Sequence, residues 1–276
     1  MDAFGLTVCD PPEDVQCTSC LSRPWDAPIA LLRQLPYGPG PLVCCRLDAL
    51  PLEPNLIAGL MLSPGEADFW RSMRAVDKRR HEWLLGRSVA KDAVRLLLEK
   101  HLGVQLAPAE VEILPDPYGR PRAMGPWTAR LGIQPAISIS HSHGTAVALA
   151  VLHPGQLVGI DLENLAQRRE SFEAIAFRLD ERRMLAALPW ESRQEWALRM
   201  WCAKEGVAKA LGRGFSIGIQ AFHILSAQTG SGIVQLELCD QALALFPRLR
   251  GISIMAYTGR EKDYVFSTTI YQGAVE

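Results

Sequence analysis

No stretch of this chain approaches the about 20 consecutive apolar residues that a membrane span needs. Its opening residues carry an acid rather than the basic-then-apolar order of a secretory signal. Surplus charge is missing too: 29 basic residues meet 30 acidic ones, a formal net charge of -1, which excludes a polybasic nucleic-acid binder. Cysteine is present but unpatterned, because seven thiols, an odd number without regular spacing, fit reduced side chains better than a disulfide frame. A zinc site from Cys17, Cys20, Cys44 and Cys45 is weakly suggested, since adjacent cysteines do not repeat the usual paired spacing. These absences predict a cytoplasmic protein that engages neither membrane nor nucleic acid. With 276 residues, 48% of them hydrophobic, the chain is globular and long enough for one large domain or two small ones.

What is present centres on Trp201-Cys202-Ala203-Lys204-Glu205-Gly206-Val207-Ala208-Lys209-Ala210-Leu211-Gly212. Trp196, Met200, Ala203, Val207 and Leu211 recur at intervals of three and four, the signature of a core-facing helical stripe. Glu205 and Lys209 lie off that stripe and one turn apart, on a face shared with Trp201 and Ala208. An exposed Glu-Lys pair is the plain reading; a solvent face, however, is rarely built of Trp and Ala around one acid and one base.

Taken in order, residues 1–60 are rich in proline and predict short or irregular elements, with Leu42 to Leu47 a strand. Ser63-Pro64-Gly65-Glu66 carries a capping serine, a proline at the first helical position and a carboxylate three residues on, so a helix starts there. Asp77 to about His101 reads as the longest helix. Arg80, Leu84, Arg87, Lys91 and Arg95 stack along one of its flanks, either as a solvated face or as a phosphate clamp, since arginine offers a planar fork of donors. After a strand at Val111 to Leu114, Asp116-Pro117-Tyr118-Gly119-Arg120-Pro121 is a stiff turn presenting Arg120.

Ala136 to Ser142 alternates as a strand, with Ser138, Ser140 and Ser142 on one face and Ile139 and His141 on the other; His143 joins the latter unless the chain turns first. Leu157 to Glu163 is another strand, ending in Asp161 and Glu163, whose side chains project to the same side. Two close carboxylates repel unless a cation sits between them, so this pair is either a strand leaving the core or a magnesium site. Residues 164–200 read as helical, with Arg168-Arg169-Glu170 and Glu181-Arg182-Arg183 as solvated runs and Ser192 with Glu195 as a capping box starting the central helix. Short strands follow at Phe222 to Leu225, Gly232 to Leu238, Ile252 to Tyr257 and Tyr264 to Tyr271. Ile137-Ser138-Ile139 with Gly144 is echoed by Ile252-Ser253-Ile254 with Gly259, which hints at two similar halves.

Four segments in this order resemble the phosphopantetheinyl transferases of the monomeric, surfactin-synthetase-activating type: Lys78 to Arg87, Tyr118 to Pro121, Ile139 to Ser142, and Gly159 to Glu163 paired with Trp201 to Lys209. The resemblance covers about residues 65–270. It implies an α+β pseudo-dimer of two similar halves, each a long helix packed on a small antiparallel sheet. Residues 1–60 would form an N-terminal segment, 61–155 one half and 156–276 the other.

The reaction implied is magnesium-dependent transfer of the 4'-phosphopantetheine arm of coenzyme A to a serine of an acyl- or peptidyl-carrier protein, releasing adenosine 3',5'-bisphosphate. Asp161, Glu163 and Glu205 would hold the magnesium ion. Arg79 or Arg80, Arg87, the turn Tyr118, Gly119, Arg120 and Pro121, with Ser140, His141 and Lys209, would bind coenzyme A. Glu205 is the expected general base, directly or through a metal-bound water, with Lys209 and His141 stabilising charge. Gly206, where the family usually has alanine or serine, and His143 are departures from its pattern. Rival readings are a metal-dependent hydrolase using His141, His143 and Asp161, a weaker Ser138, His141, Asp161 acyl hydrolase, and a carrier-binding module without turnover.

Overall fold

The computed structural model describes residues 20–35, 38–152, 155–166, 172–212, 214 and 218–273. Cys17 and the Arg168-Arg169-Glu170 run lie outside them. Two antiparallel sheets organise the chain. The first runs in the order β1 (Arg23–Pro24), β2 (Leu42–Leu47), β6 (Thr145–Val151), β5 (Ala136–Ser142), β4 (Pro121–Met124), β3 (Glu112–Pro115). The second runs β7 (Gln156–Asn164), β11 (Tyr264–Gln272), β10 (Ile254–Glu261), β9 (Ile233–Leu238), β8 (Phe222–Gln228).

Each sheet carries one long helix. In the first half, α1 (Asp26–Leu32), α2 (Pro54–Met61) and α3 (Pro64–Ser72) precede α4 (Asp77–Leu102), which packs on β2, β5 and β6; α5 (Pro126–Leu131) joins β4 to β5. In the second, α6 (Phe172–Ala176) and α7 (Leu179–Ala186) precede α8 (Trp190–Leu211), which packs on β7, β10 and β11; α9 (Asp240–Leu245) follows β9. This is the expected α+β fold of two helix-on-sheet halves. The proline-rich N-terminal residues contribute more than irregular chain: β2 is an inner strand of the first sheet, and α1 docks on β10 and β11 of the second.

The local signals explain the helices. Ser63 Oγ accepts from Glu66 N while Glu66 Oε2 accepts from Ser63 N, closing the capping box that starts α3. The stripe of α8 is buried as its spacing requires, Trp196, Met200, Ala203, Val207 and Leu211 all lying in one core. Its start differs from expectation. Pro189 is the N-cap and the helix opens at Trp190, so Ser192 lies inside the first turn, donating to Pro189 O, and Glu195 instead pairs with Arg199 at 2.7 Å.

Several charges read as surface are core. Lys91 is fully buried against Glu66, and Arg95 is buried with Asp92 at 3.1 Å and Leu106 O at 2.7 Å, so the far end of the α4 row is neither solvated nor a clamp. Glu181 is likewise fully buried, paired with Lys204 at 2.7 Å. Cys44 and Cys45 point to opposite faces of β2 into two different cores; burial pushes the Cys45 thiol up to about 12 and raises Cys44 as well. These are packing thiols rather than zinc ligands.

The short sequence echo does not mark equivalent places. Gly144, at φ 79°, turns the β5–β6 hairpin, whereas Gly259 sits within β10 opposite Phe266. A deeper repeat does. Glu66 and Glu181 each stand three residues into a short helix. Each accepts from the residue just before that helix and from the first strand that follows the long helix (Ile113 N at 2.9 Å, Ile224 N at 2.7 Å). Each also receives a buried lysine from the long helix, Lys91 or Lys204.

Candidate active site

The two sheets meet where β5 runs beside β7, and serine side chains make the join. Ile160 N donates to Ser138 Oγ at 3.0 Å and Leu162 N to Ser140 Oγ at 3.2 Å, so two backbone donors on the free edge of β7 are satisfied by hydroxyls. The same alternation sets the acids. Ser140 Oγ donates to Asp161 Oδ1 at 2.8 Å and Ser142 Oγ to Glu163 Oε2 at 3.2 Å, which places both carboxylates on the β5 side of β7. His143, at φ 50°, is already in the hairpin turn and does not continue the face of His141.

Helix α8 is brought unusually close to this strand. A Cβ on Gly159 would lie 1.8 Å from Gly206 O, and one on Gly206 would lie 2.6 Å from Ser267 Oγ, which itself donates to Cys202 O at 2.7 Å. Two facing glycines therefore set the helix–strand distance. From that distance Lys209 Nζ reaches Asp161 Oδ1 at 2.7 Å and Ile160 O at 3.3 Å. Burial alone would lower the Lys209 pKa, but Asp161 and Glu205 outweigh it and hold the ammonium above its ordinary value.

In front of this pair lies a cavity of about 320 Å³ between the halves, bounded by Glu82, Trp83 and Arg87 of α4, the Tyr118 to Pro121 turn, His141 of β5, and Lys209 with Gly212 at the end of α8. Its walls carry three cations to one acid. Asp116 rigidifies the turn: its Oδ1 accepts from Tyr118 N at 2.8 Å and Arg120 N at 2.9 Å, and Gly119 takes φ 90°. Arg120 then crosses to the other half, donating to Leu211 O at 3.2 Å over Gly212, where the α8 carbonyls end.

Two arginine donors there are unsatisfied. Among the described residues, the Nε atoms of Arg87 and Arg120 are both buried without a hydrogen-bond partner. Burial pulls the Arg87 guanidinium down to about 10, with only Glu66 opposing, so its charge is under-solvated and an anion would relieve it. Desolvation also lowers the His141 pKa; Glu82 opposes, Lys209 reinforces, Asp161 opposes and Arg87 reinforces. Arg79 and Arg80 do not line the cavity: Arg80 stacks over Trp70 at 4.3 Å and donates to Met73 O at 3.0 Å, and Arg79 is exposed. Ser140 stands behind it, on Asp161.

Among the described residues, neither Asp161, Glu163 and Glu205 nor His141, His143 and Asp161 draw their donor atoms within 4.8 Å of one another as a set. The carboxylate set nonetheless suits a hard cation. Among the described residues Asp161 Oδ2 is buried without a hydrogen-bond partner, Glu163 shares its side of β7, and Glu205 precedes Lys209 by one turn of α8; all three are oxygen donors, as magnesium prefers.

Comparison with known proteins identifies the class. Residues 157–268 match the family model for the 4'-phosphopantetheinyl transferase superfamily. The chain is 31% identical over 121 residues to the holo-[acyl-carrier-protein] synthase of Shewanella frigidimarina, an alignment covering 42% of this chain and 95% of that protein. It is 30% identical over 118 residues to the same enzyme from Shewanella amazonensis, covering 41% and 94%. The crystal structure of holo-[acyl-carrier-protein] synthase from Neisseria meningitidis aligns with 41% of this chain and 96% of its own at 19% identity and a TM-score of 0.32. The chain belongs to the 4'-phosphopantetheinyl transferase superfamily and is a transferase of that class. Among the described residues no helix is long and apolar enough to cross a membrane.

Proposed function

We propose that this protein transfers the 4'-phosphopantetheine arm of coenzyme A to a serine of an acyl- or peptidyl-carrier protein, as a single-chain enzyme of the surfactin-synthetase-activating type. The observation that carries this reading is the cationic cavity between the halves, where two buried arginine Nε atoms lack acceptors beside the Lys209–Asp161 pair. A diphosphate supplies the counter-charge that this lining lacks. Less than half of this chain spans nearly the whole of each Shewanella relative, which supports residues 61–155 and 156–276 acting as two halves of one enzyme.

Asp161, Glu163 and Glu205 would hold magnesium, which when bound neutralises charge on the pyrophosphate. The other steps belong to side chains. Arg87, Arg120, His141 and Lys209 grip the diphosphate, with the Tyr118 to Pro121 turn closing one wall. Arg79 and Arg80, earlier on α4 and outside the cavity lining, would meet a phosphate of coenzyme A other than the diphosphate. Glu205 accepts the proton of the carrier serine as its Oγ bonds to the β-phosphorus. The bond from that phosphorus to the bridging oxygen breaks, and adenosine 3',5'-bisphosphate leaves with its negative charge met by Lys209 and Arg120.

The test is intact-mass measurement of candidate apo-carrier proteins incubated with the enzyme, coenzyme A and magnesium. A gain of one phosphopantetheine arm is expected on at least one carrier, dependent on metal; no gain on any acyl- or peptidyl-carrier would overturn the reading.

A further inference from the structure

Away from that cavity, at the outer edge of the second sheet, β8 and β9 bring together three different kinds of donor. His223 and Glu237 are directly opposite one another across the strands, and Cys239 follows β9 by one residue. A ring nitrogen, a carboxylate oxygen and the thiol sulfur of these three residues all lie within 4.8 Å of one another, and all three residues are half-buried. His223 Nδ1 is 3.0 Å from Glu237 Oε1, and its Nε2 is 2.8 Å from Asp180 Oδ2, on α7.

We propose that His223, Glu237 and Cys239 form a binding site for a divalent transition ion of the zinc class, with Asp180 as the positioning residue. Mixed nitrogen, sulfur and oxygen donors suit such a borderline ion and suit magnesium poorly, so this site is distinct in chemistry from the carboxylates of β7 and α8. A carboxylate on the far nitrogen of a ligating histidine is the usual second partner: Asp180 accepting from Nε2–H leaves the Nδ1 lone pair for the ion.

Bound there, the ion clips the end of β9 to the start of β8 and, through Asp180, to the helix whose Glu181 holds Lys204 of α8.

The experiment is titration of the reduced, metal-stripped protein with Co²⁺ alone, read by absorbance. One equivalent per chain should give an intense near-ultraviolet thiolate-to-cobalt band, removed by Zn²⁺ in competition; oxygen-only sites give no such band. Cys239→Ser should lose the band and His223→Gln should weaken binding, with circular dichroism reporting that each variant is folded. Asp180→Asn should keep the band but bind about 10–100-fold more weakly. Absence of a thiolate band in the wild type, or its persistence in Cys239→Ser, would overturn the proposal. An unchanged affinity in Asp180→Asn would remove Asp180 from it.

Discussion

Lys204 Nζ lies 2.7 Å from Glu181 Oε2 with both side chains fully buried, and Lys91 repeats the arrangement with Glu66 in the other half. Taking a lone charge out of water costs several kcal/mol, so each pair survives only as a pair, with backbone donors on the carboxylate completing it. Lys204→Met should therefore destabilise the protein by about 3–5 kcal/mol, and adding Glu181→Gln should recover a large part of that loss. Urea denaturation measures both; a single variant with the wild-type midpoint would contradict the account.

The glycine pair under α8 gives a graded prediction. Gly206→Ala gains about 1 kcal/mol of helix propensity but presses on Ser267 Oγ, and overpacking of that kind costs about 1–3 kcal/mol, so the net change is small to moderate loss. Gly159→Ala strikes backbone rather than a hydroxyl and should be far worse. If thermal unfolding ranks the two the other way, the close approach of α8 to β7 is not what holds Lys209 on Asp161.

Arg120 serves two purposes, holding the last turn of α8 and bringing a guanidinium charge to the cavity wall. Arg120→Ala should raise the apparent KM for coenzyme A, and Arg120→Lys should fail to restore it, because an ammonium cannot reproduce the planar fork. Arg80→Ala, by contrast, should weaken coenzyme A binding less than Arg87→Ala. Equal effects in a direct binding titration would shift the phosphate contacts toward the rim.

His141 supplies a proton-linked prediction. Its pKa is lowered from the ordinary imidazole value in the free protein by desolvation, and a bound polyanion would raise it. Binding of coenzyme A should then take up protons and tighten as pH falls through the window between the lowered free value and the raised bound one. Calorimetry in buffers of different ionisation enthalpy measures the uptake, and His141→Gln should abolish it; no uptake anywhere in that window would take His141 out of phosphate contact.

What sequence could and could not reveal follows from the range of each cause. The span of α4, the α3 capping box and the buried stripe of α8 rest on neighbours three or four residues apart, and so were legible. Lys91, Arg95 and Glu181 looked solvated because their partners or burial lie elsewhere in the fold: Lys204 follows Glu181 by 23 residues, on the next helix, and the carbonyl that meets Arg120 belongs to the other half. The serine alternation of β5 was readable; that it would meet the acids of β7 required the sheets to be assembled. A buried glutamate early in a short helix, followed at nearly equal separation by a lysine on a long one, was the repeat signal to look for in place of the isoleucine echo.

The most direct measurement is single-turnover transfer to an apo-carrier at saturating coenzyme A and magnesium, comparing the wild type with Glu205→Gln. General-base assistance is worth about 10²–10⁴ in rate, so the variant should slow by at least ~100-fold while still binding coenzyme A. Transfer by Glu205→Gln at the wild-type rate would contradict the mechanism.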